Sequence, residues 1–412
     1  MNTVVYSTLG PLAAQDQPSS PLLRQALVHA TSQDWVAAYH VLQQAIEVPD
    51  DQRCARFMLW EVCQTLGYPD VGLANLRAVL QDNPVTTRSS AAPSRRVLVL
   101  AVPGDFQANL PLAALLGAND TELHTLWLSD PESVLAEPLS AFKGSPPPPF
   151  DCVFIAIAED VRHHLALKAA DCLAGYLAVP VINNGDRISA VSRAGVCELL
   201  RQLPDTIVPT QRLIGRPALT AGDLSFPVII RPSTSHAGKN LARIETGEEL
   251  CAYLEQVADE VFYVAPFVDY RSADGFWRKY RIIFVDGHPM PYHLAIHNDW
   301  AIWYYNARMD LDPWKRAEES RFVEAMASAL PARAMNALHA VGETIGLHYF
   351  GADCGVMQDG RLVVFEIETG MIVHDWDPPE IYPYKRECAR LIRGATEAMI
   401  DRLIAARTAN PT

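Results

Sequence analysis

The segment that most constrains the fold is GADCGVMQDGRLVVFEIETG, residues 351–370, near the end of the chain. An Asp-Gly pair between runs of apolar residues is a strong signal for a two-residue hairpin turn. With Asp359-Gly360 as that turn, Gln358 faces Arg361. The segment is therefore predicted to form two antiparallel strands joined by a tight turn.

This register places three acids on one face of the hairpin, with Asp353 opposite Glu366 and Glu368 two residues further along. The other face is apolar and carries Ala352, Cys354, Val356, Val363, Phe365 and Ile367. Facing like charges destabilise a sheet, so the acids need a neutralising partner. Carboxylate oxygens suit a hard cation, and Gly351 and Gly355 leave room for a ligand. The sequence predicts a Mg²⁺ or Mn²⁺ site; a solvated outer face is the alternative, although such faces normally include Lys, Thr or Ser.

A second candidate is the loop in FPVIIRPSTSHAGKNLARI, residues 226–244, between two predicted strands. Arg231 and Lys239 supply positive charge there. Small residues let backbone N–H groups approach an anion, and they are Ser233, Thr234, Ser235, Ala237 and Gly238. The loop lacks the GxxxxGK[ST] pattern of a P-loop, and most Gly/Ser turns bind nothing. His236 is interpreted as an ordinary loop histidine.

Arg281 lies in the predicted strand RKYRIIFV, residues 278–285. An arginine in a strand usually extends its charged end to water at a sheet edge. It can equally clamp a phosphate with its planar fork of donors. Both interpretations are open at this point.

The chain is predicted to contain three domains. Residues 1–90 form a helical domain, because two helical stretches end near Pro49 and Pro84, a spacing close to the tetratricopeptide period. A plain bundle of helical hairpins is the alternative, and either is expected to pack on the rest of the chain or on a second subunit. Residues 85–95, VTTRSSAAPSR, have the composition of a linker.

Residues 96–205 contain short buried-type strands separated by helical stretches, which predicts a small parallel α/β domain. The predicted strands are RVLVLAV, ELHTLWL, DCVFIAIA and VPVINN. Residues 206–412 mix hairpins and helices and are predicted to form an α+β domain. The fold class is therefore α/β together with α+β, preceded by helical hairpins.

Composition excludes several classes of function. The 412 residues carry a formal net charge of −14, which argues against nucleic acid and anionic membranes as partners. The eight cysteines contain no Cys-x-x-Cys pair, and no signal peptide is recognisable, so reduced thiols and a cytoplasmic protein are expected. No apolar run is long enough to span a bilayer.

In this order, the loop, the arginine strand and the acidic hairpin resemble the ATP-grasp superfamily, especially its glutathione-synthetase-like and ribosomal-modification-ligase-like members. The resemblance covers roughly residues 96–400, as a pre-ATP-grasp α/β domain followed by an ATP-grasp module. The hairpin is the most specific element, because Glu366 follows Asp353 by thirteen residues, as in the family. The tail GMIVHDWDPPEIYPYK resembles a subgroup with an N-terminal tetratricopeptide region.

The resemblance assigns roles to individual residues. It implies ATP as cosubstrate and Mg²⁺, or Mn²⁺, held by Asp353, Glu366 and Glu368. The residues it implies for nucleotide binding are Arg231, Ser233, Ser235, Gly238, Lys239, Ala265, Phe267, Val268 and Arg281. The residues it implies for catalysis are Arg231, Arg281 and His374, although a surface-loop histidine is an equal interpretation of His374.

Three positions depart from the family pattern. Arg231 stands where a lysine is usual, and arginine keeps the positive charge that phosphate binding needs. Glu368 stands where an asparagine is usual, which adds negative charge near the metal. Ala265 stands where many members have glutamate, so adenine contacts would depend on the backbone and on apolar neighbours.

The implied activity is ATP-dependent ligation of a carboxylate to an amine through an acyl phosphate. The expected substrates are small molecules or peptides, namely amino acids, a peptide tail or a natural-product intermediate. The acceptor pocket is expected after the metal site, at Met371, His374, Asp375, Asp377, Tyr382, Tyr384 and Lys385. A small-molecule kinase on the same fold and a nonenzymatic nucleotide-binding scaffold are the alternatives. The helical region is a candidate surface for a homodimer or a protein partner.

Overall fold

The structure is a computed structural model that describes seven stretches of the chain. They are residues 20–116, 120–144, 147–221, 224–233, 235, 238–304 and 306–409. The chain forms two compact units. The first is Met1–Ser189 with Thr369–His374 and Arg393–Thr412, and the second is Ala190–Glu368 with Asp375–Ile392.

The first unit begins with four helices, α1 Pro21–Thr31, α2 Trp35–Ala45, α3 Gln52–Thr65 and α4 Pro69–Asp82. Helix α1 begins where the Ser20 hydroxyl accepts a hydrogen bond from the Leu23 N–H and where Pro21 takes the first helical position. Apolar residues of α1–α3 pack into one core that includes Leu42 and Leu59, both fully buried. These helical hairpins confirm the helical prediction for this region, and their assignment to tetratricopeptide repeats stays a prediction.

A five-stranded sheet follows in the order β1-β3-β2-β4-β5. Its strands are β1 Val85–Arg88, β2 Arg95–Ala101, β3 Thr121–Trp127, β4 Cys152–Ile155 and β5 Val181–Ile182. The last four pair in parallel and match the four predicted strands. The helices of this part of the chain are α5 Leu112–Leu115, α6 Pro131–Ala136, α7 His164–Leu177 and, after β5, α8 Gly185–Ala190, with 3₁₀ turns at Pro138–Phe142 and Val161–His163.

The predicted linker is wrong at its first four residues, because Val85–Arg88 is an antiparallel edge strand. Arg88 is buried, and its guanidinium donates to the carbonyl oxygens of Ala113 and Leu116, at 2.7 and 3.0 Å. Trp60 of α3 packs against Trp127 of β3, and its indole N–H donates to the Gly104 carbonyl. The helices therefore pack on the α/β sheet, as expected from the sequence.

The second unit contains two sheets. A four-stranded antiparallel sheet has the order β7-β10-β8-β9, with β7 Arg212–Gly215, β8 Val228–Pro232, β9 Ala242–Ile244 and β10 Val261–Pro266. A five-stranded sheet has the order β12-β11-β13-β14-β6, with β6 Thr206–Ile207, β11 Trp277–Val285, β12 His288–His297, β13 Tyr349–Val356 and β14 Leu362–Glu368. Mixed α/β and α+β architecture is thus confirmed.

Helices complete the second unit. They are α9 Arg193–Leu200, α10 Arg216–Ala221, α11 Gly247–Gln256, α12 Pro313–Glu324, α13 Met326–Ala329, α14 Ala332–Ile345 and the start of α15 Lys385–Ala409. Helix α14 approaches the β11–β12 turn so closely that a Cβ atom on Gly342 would lie 2.0 Å from the Gly287 carbonyl oxygen. Only glycine fits at that contact. Among the described residues, no helix has both the length and the apolar character that a membrane span needs.

The acidic hairpin differs from prediction at its turn. Met357, not Gln358, faces Arg361: the Met357 N–H donates to the Arg361 carbonyl oxygen at 2.8 Å. The loop has three residues and ends on Gly360, which adopts a φ of +85°. The predicted two-residue turn is therefore wrong by one position.

The pairing of Asp353 with Glu366 is nevertheless confirmed. A bulge at Phe365 shifts the register by one residue, so that Cys354 faces Val364 while Asp353 faces Glu366. The three-residue loop and the bulge each shift the register by one residue, and the two shifts cancel at Asp353 and Glu366. They also place Val363 opposite Gly355, which corrects the predicted division of the two faces near the turn.

Candidate active site

A row of polar side chains crosses the five-stranded sheet on one face. Asp353 on β13 pairs with Glu366 on β14 and with Arg281 on β11, and Arg281 pairs in turn with His293 on β12. Directly opposite residues share a face, so these side chains lie side by side. Lys279 precedes Arg281 by two residues and shares the same face.

Asp353 is held by two cationic side chains. Arg281 donates from Nε to Oδ1 at 2.8 Å and from Nη2 to Oδ2 at 3.0 Å, a bidentate pair. Lys279 places its Nζ 2.7 Å from Oδ2, and the aspartate side chain is only 1% exposed. Burial acts to raise the pKa of Asp353, but the positive charges of Arg281 and Lys279 outweigh it and hold the pKa below its usual range. This carboxylate is therefore ionised at neutral pH.

Glu366 pairs with Arg193, whose Nη1 lies 3.2 Å from the glutamate Oε2. Burial, the largest single influence, raises the pKa of Glu366, and the neighbouring Asp353 adds to that. The positive charges of Arg193, Lys279 and Arg231 together outweigh both, so the pKa is lowered. Arg193 is the first residue of α9, just after Ser192, whose hydroxyl caps the helix by accepting from the Gly195 N–H. The charges that neutralise the acids are thus supplied by the protein itself.

Arg231 on β8 is turned toward its own loop. Its guanidinium donates to the hydroxyl of Ser235 at 3.2 Å and also to the Ser235 carbonyl oxygen. Burial, followed by the nearby charge of Arg193, lowers the pKa of Arg231 to about 10. The guanidinium also senses the charge of Glu366, so Arg231 belongs electrostatically with the acids.

Other parts of the loop present fewer donors than expected. The Ser233 N–H donates to the Val261 carbonyl and the Ser235 N–H donates to the Pro232 carbonyl, so both are used within the protein. Lys239 is exposed, and Gly238 has a φ of +73°. Thr234, His236 and Ala237 lie outside the described residues.

The predicted adenine hinge lies at the end of β10. Ala265 pairs with Ile229 in the ladder, and the Phe267 N–H donates to the Pro227 carbonyl at 3.0 Å. The guanidinium of Arg243 lies 3.9 Å from the centre of the Phe267 ring. Val268 is partly buried beside them. The hinge therefore offers a flat aromatic surface and a cation, while the Phe267 N–H is already used.

Two further predicted residues are His374 and Glu368. His374 belongs to the first unit, and its catalytic role stays a prediction. Glu368 ends β14 opposite Gly351, on the face of the acids, and its role as a metal ligand also stays a prediction. The space expected at Gly355 is taken by aromatic rings, since a Cβ atom there would lie 2.6 Å from Tyr270 and 3.0 Å from Phe365.

We call Arg193, Arg231, Lys279, Arg281, Asp353 and Glu366 the open cluster. Its basic side chains remain partly accessible, with Lys279 23% and Arg281 31% exposed. Its positive charge suits an anionic ligand such as a polyphosphate.

The open cluster also bears on metal binding. Facing carboxylates with oxygen donors fit a hard divalent cation chemically. Among the described residues, however, no group of three or more His, Cys, Asp or Glu side chains is placed to hold a metal. Asp353 and Glu366 instead direct their oxygens at basic side chains, so the carboxylates can bind a cation only together with a change in these ion pairs.

A second group of ion pairs lies beside His293 of β12, whose Nδ1 is 3.8 Å from the Glu319 carboxylate, and we call it the sealed cluster. It consists of Tyr304, Glu319, Asp377, Tyr382, Tyr384 and Lys385. Lys385 is 2% exposed, with its Nζ 3.6 Å from the Glu319 carboxylate and 3.3 Å from that of Asp377. Glu319 is fully buried and accepts hydrogen bonds from the hydroxyls of Tyr304 and Tyr384, at 3.0 and 2.6 Å.

The sealed cluster changes the interpretation of the predicted acceptor pocket. Lys385, Tyr384 and Asp377 were expected to face a ligand, but their polar atoms are used to bind the chain to itself. The Lys385 ammonium also lies 3.7 Å from the Tyr304 ring and 4.4 Å from the Tyr382 ring. These residues therefore anchor the segment after Asp375 to helix α12 and to Tyr304.

Sequence reasoning missed Arg193 and Lys279. Lys279 carried a signal, because it has the same strand parity as Arg281 and therefore shares its face. Arg193 carried none, since a single basic residue at the start of a helix far upstream is ordinary. Only the folded chain brings Arg193 beside Glu366.

Among known proteins, the chain matches solved structures only. No family model and no curated protein matches the chain. The chain is similar to the solved structure of the VanG D-Ala:D-Ser ligase from Enterococcus faecalis, with a TM-score of 0.42 and 14% identity over 76% of this chain and 98% of that one. It is also similar to the D-alanine-D-alanine ligase from Coxiella burnetii, with a TM-score of 0.42 and 13% identity over 77% of this chain and 98% of that one. At this level the likeness supports no statement about substrate or chemistry.

Proposed function

We propose that the protein is an ATP-grasp ligase that joins a carboxylate to an amine, with conversion of ATP to ADP and phosphate. The observation that carries the proposal is the open cluster, in which Arg281 and Lys279 flank Asp353 while Arg193 and Arg231 lie near Glu366. Paired acids and an excess of convergent bases are what a metal–polyphosphate complex requires.

The chemistry needs positioning more than covalent participation by the protein. A substrate carboxylate oxygen attacks the γ-phosphorus of ATP, the bond to the β-phosphate oxygen breaks, and ADP leaves. The amine then attacks the acyl carbon, phosphate departs, and the amine loses a proton as the amide forms. Arg193, Arg231, Lys279 and Arg281 hold the phosphates and stabilise the negative charge that develops on them.

Mg²⁺ would be held by Asp353 and Glu366, with Glu368 on the same face, and would supply charge neutralisation at the phosphates. The hinge beside Phe267, with Arg243 stacked on its ring, is the proposed surface for the nucleotide base. The proposed acceptor region is the segment that Lys385 anchors, which presents Trp376 at 46% exposure. The substrates proposed are amino acids, small peptides or similar amine-bearing intermediates.

The test is ADP release from Mg-ATP over a panel of carboxylic acids and amines, including amino acids of both configurations. We expect release above the ATP-only background only when both an acid and an amine are present. Mass spectrometry should show a product equal to acid plus amine minus water. Release that needs one substrate and no amine would indicate a kinase, and no release with any pair would contradict an enzyme of this class.

Arg281→Met is the matched variant. It should reduce ADP release by about 100-fold, because one charged donor to the developing phosphate charge is lost. Arg308→Gln is the control, since Arg308 is an exposed arginine of the same unit that pairs only with Asp310 among the contacts seen. Equal activity of the two variants would contradict the placement of the site.

A further inference from the structure

The positive charge around Asp353 exceeds the single negative charge of its carboxylate. Arg281 binds both of its oxygens in a bidentate pair, which already neutralises one carboxylate. Lys279 adds a second cation, with its Nζ 2.7 Å from Oδ2, and the aspartate side chain that receives both is only 1% exposed. A third cation, Arg193, forms an ion pair with the neighbouring Glu366. A divalent ion arriving at these acids would therefore meet like charge before it met a free carboxylate.

Lys279 can leave the Asp353 carboxylate more easily than Arg281 can. The guanidinium of Arg281 is a planar fork that matches the carboxylate with two parallel hydrogen bonds. The ammonium of Lys279 is a compact charge on a flexible stem and makes a single contact to one oxygen. Its side chain is 23% exposed, so it can turn toward a ligand without crossing the core.

We propose that Lys279 is an internal counter-ion that holds the place of the divalent cation at Asp353 until nucleotide binds. When a polyphosphate enters the open cluster, the ammonium moves from Oδ2 of Asp353 to the phosphate oxygens. The lone pair that it leaves on Oδ2 becomes available to the metal, while Arg281 stays bound to the carboxylate. The metal therefore binds with the nucleotide and not before it. This inference rests on the proposed function and adds an order of binding to it.

The test uses Mn²⁺ as the probe metal and the full chain without nucleotide, with free Mn²⁺ followed by electron paramagnetic resonance. Wild type should bind Mn²⁺ weakly. Lys279→Gln, which removes the charge and keeps a polar side chain, should bind one Mn²⁺ per chain about tenfold more tightly. Lys279→Arg keeps the cation and should behave as wild type. Lys168→Gln, an exposed lysine of the first unit, is the matched control and should leave the affinity unchanged.

The gained site must also be located. Adding Asp353→Asn to Lys279→Gln should abolish the extra Mn²⁺ affinity, since the freed carboxylate is lost. If Lys279→Gln binds Mn²⁺ no better than wild type, or if Asp353→Asn leaves the gain intact, the inference is overturned. Circular dichroism of each variant establishes that the fold is kept.

A measurement on wild type alone keeps the inference testable if Lys279→Gln does not fold. With the nonhydrolysable analogue AMP-PNP bound, wild type should bind Mn²⁺ at least tenfold more tightly than without it, after correction for Mn²⁺ on free analogue. Equal Mn²⁺ affinity in both states overturns the order of binding while leaving the ligase proposal standing. Failure of AMP-PNP to bind at all would instead contradict the proposed function, so the two outcomes are distinguishable.

Discussion

The open and sealed clusters are built from the same kinds of ion pair within the second unit, but they differ in access to water. In the sealed cluster, Glu319 and Lys385 are at most 2% exposed, and aromatic rings and hydroxyls surround them. In the open cluster, Arg281 and Lys279 are partly exposed while only Asp353 is fully enclosed. His293 stands between the clusters, with Nδ1 3.8 Å from Glu319 and its backbone paired with Arg281.

This difference in exposure indicates which charged side chains can exchange one partner for another. Removal of either partner of a fully buried ion pair lowers the free energy of unfolding by about 3–5 kcal/mol, because no water can replace the lost partner of the remaining charge. A pair with an accessible base can exchange its partner for solvent or for a ligand. We therefore assign the sealed cluster to holding the segment after Asp375 and the open cluster to binding.

The largest expected effect is on the sealed cluster. Lys385→Met leaves the Glu319 carboxylate buried without its counter-charge and should lower the free energy of unfolding by about 3–5 kcal/mol. Urea denaturation followed by tryptophan fluorescence measures this. Arg390→Gln is the control, because Arg390 and Glu387 form an exposed pair on the same helix, 64% and 58% exposed, and such pairs contribute about 0–1 kcal/mol. A loss below about 1 kcal/mol for Lys385→Met would show that the cluster is not sealed.

An intermediate effect is expected from acid. Since the pKa of folded Asp353 lies below the unfolded value of about 3.9, its ionised form stabilises the fold above about pH 4. That contribution is lost as the pH falls further toward the folded pKa, and the lowered pKa of Glu366 acts in the same direction. The free energy of unfolding should therefore fall below about pH 4 in wild type. Asp353→Asn should show a shallower fall, whereas Asp310→Asn, at an exposed acid, should follow wild type.

The smallest effect on stability is expected at Arg193, whose side chain is 25% exposed and whose partner Glu366 is 31% exposed. Arg193→Gln should cost about 1 kcal/mol or less in thermal or urea unfolding. Its affinity for AMP-PNP, measured by calorimetry, should nevertheless fall about tenfold, since a phosphate-binding charge is removed. If Arg193→Gln lost much stability and kept its affinity for AMP-PNP, the assignment of the open cluster to ligand binding would be contradicted.

The same dipeptide shows how far sequence reasoning reaches. Asp286-Gly287 joins β11 to β12 as a two-residue turn, with both residues at positive φ, 57° and 77°. Asp359-Gly360 was predicted to do the same, but only Gly360 has a positive φ and the loop has three residues. The Asp-Gly dipeptide is compatible with both turn types. Gly360 packs against Pro331 and Arg333, and this tertiary contact cannot be inferred from the dipeptide.

The strands and the facing acids could be predicted because they follow from periodicity and from residues close together in the chain. The partners of the acids could not. Arg193 reaches Glu366 across more than 170 residues of sequence, and Lys385 finds Glu319 only when the terminal helix folds back. Charges are neutralised by tertiary structure, so a sequence shows that neutralisation is needed without showing what supplies it.

The two irregularities of the acidic hairpin have a consequence for how the segment tolerates change. The extra residue in the loop ending at Gly360 and the extra residue at Phe365 offset each other, so Asp353 and Glu366 face each other when both are present or both are absent, but not when only one is present. Deleting one residue on either side alone would turn the acids of one strand to the opposite face. Deletions of single residues should therefore be tolerated here only in matched pairs, one in the loop and one at the bulge.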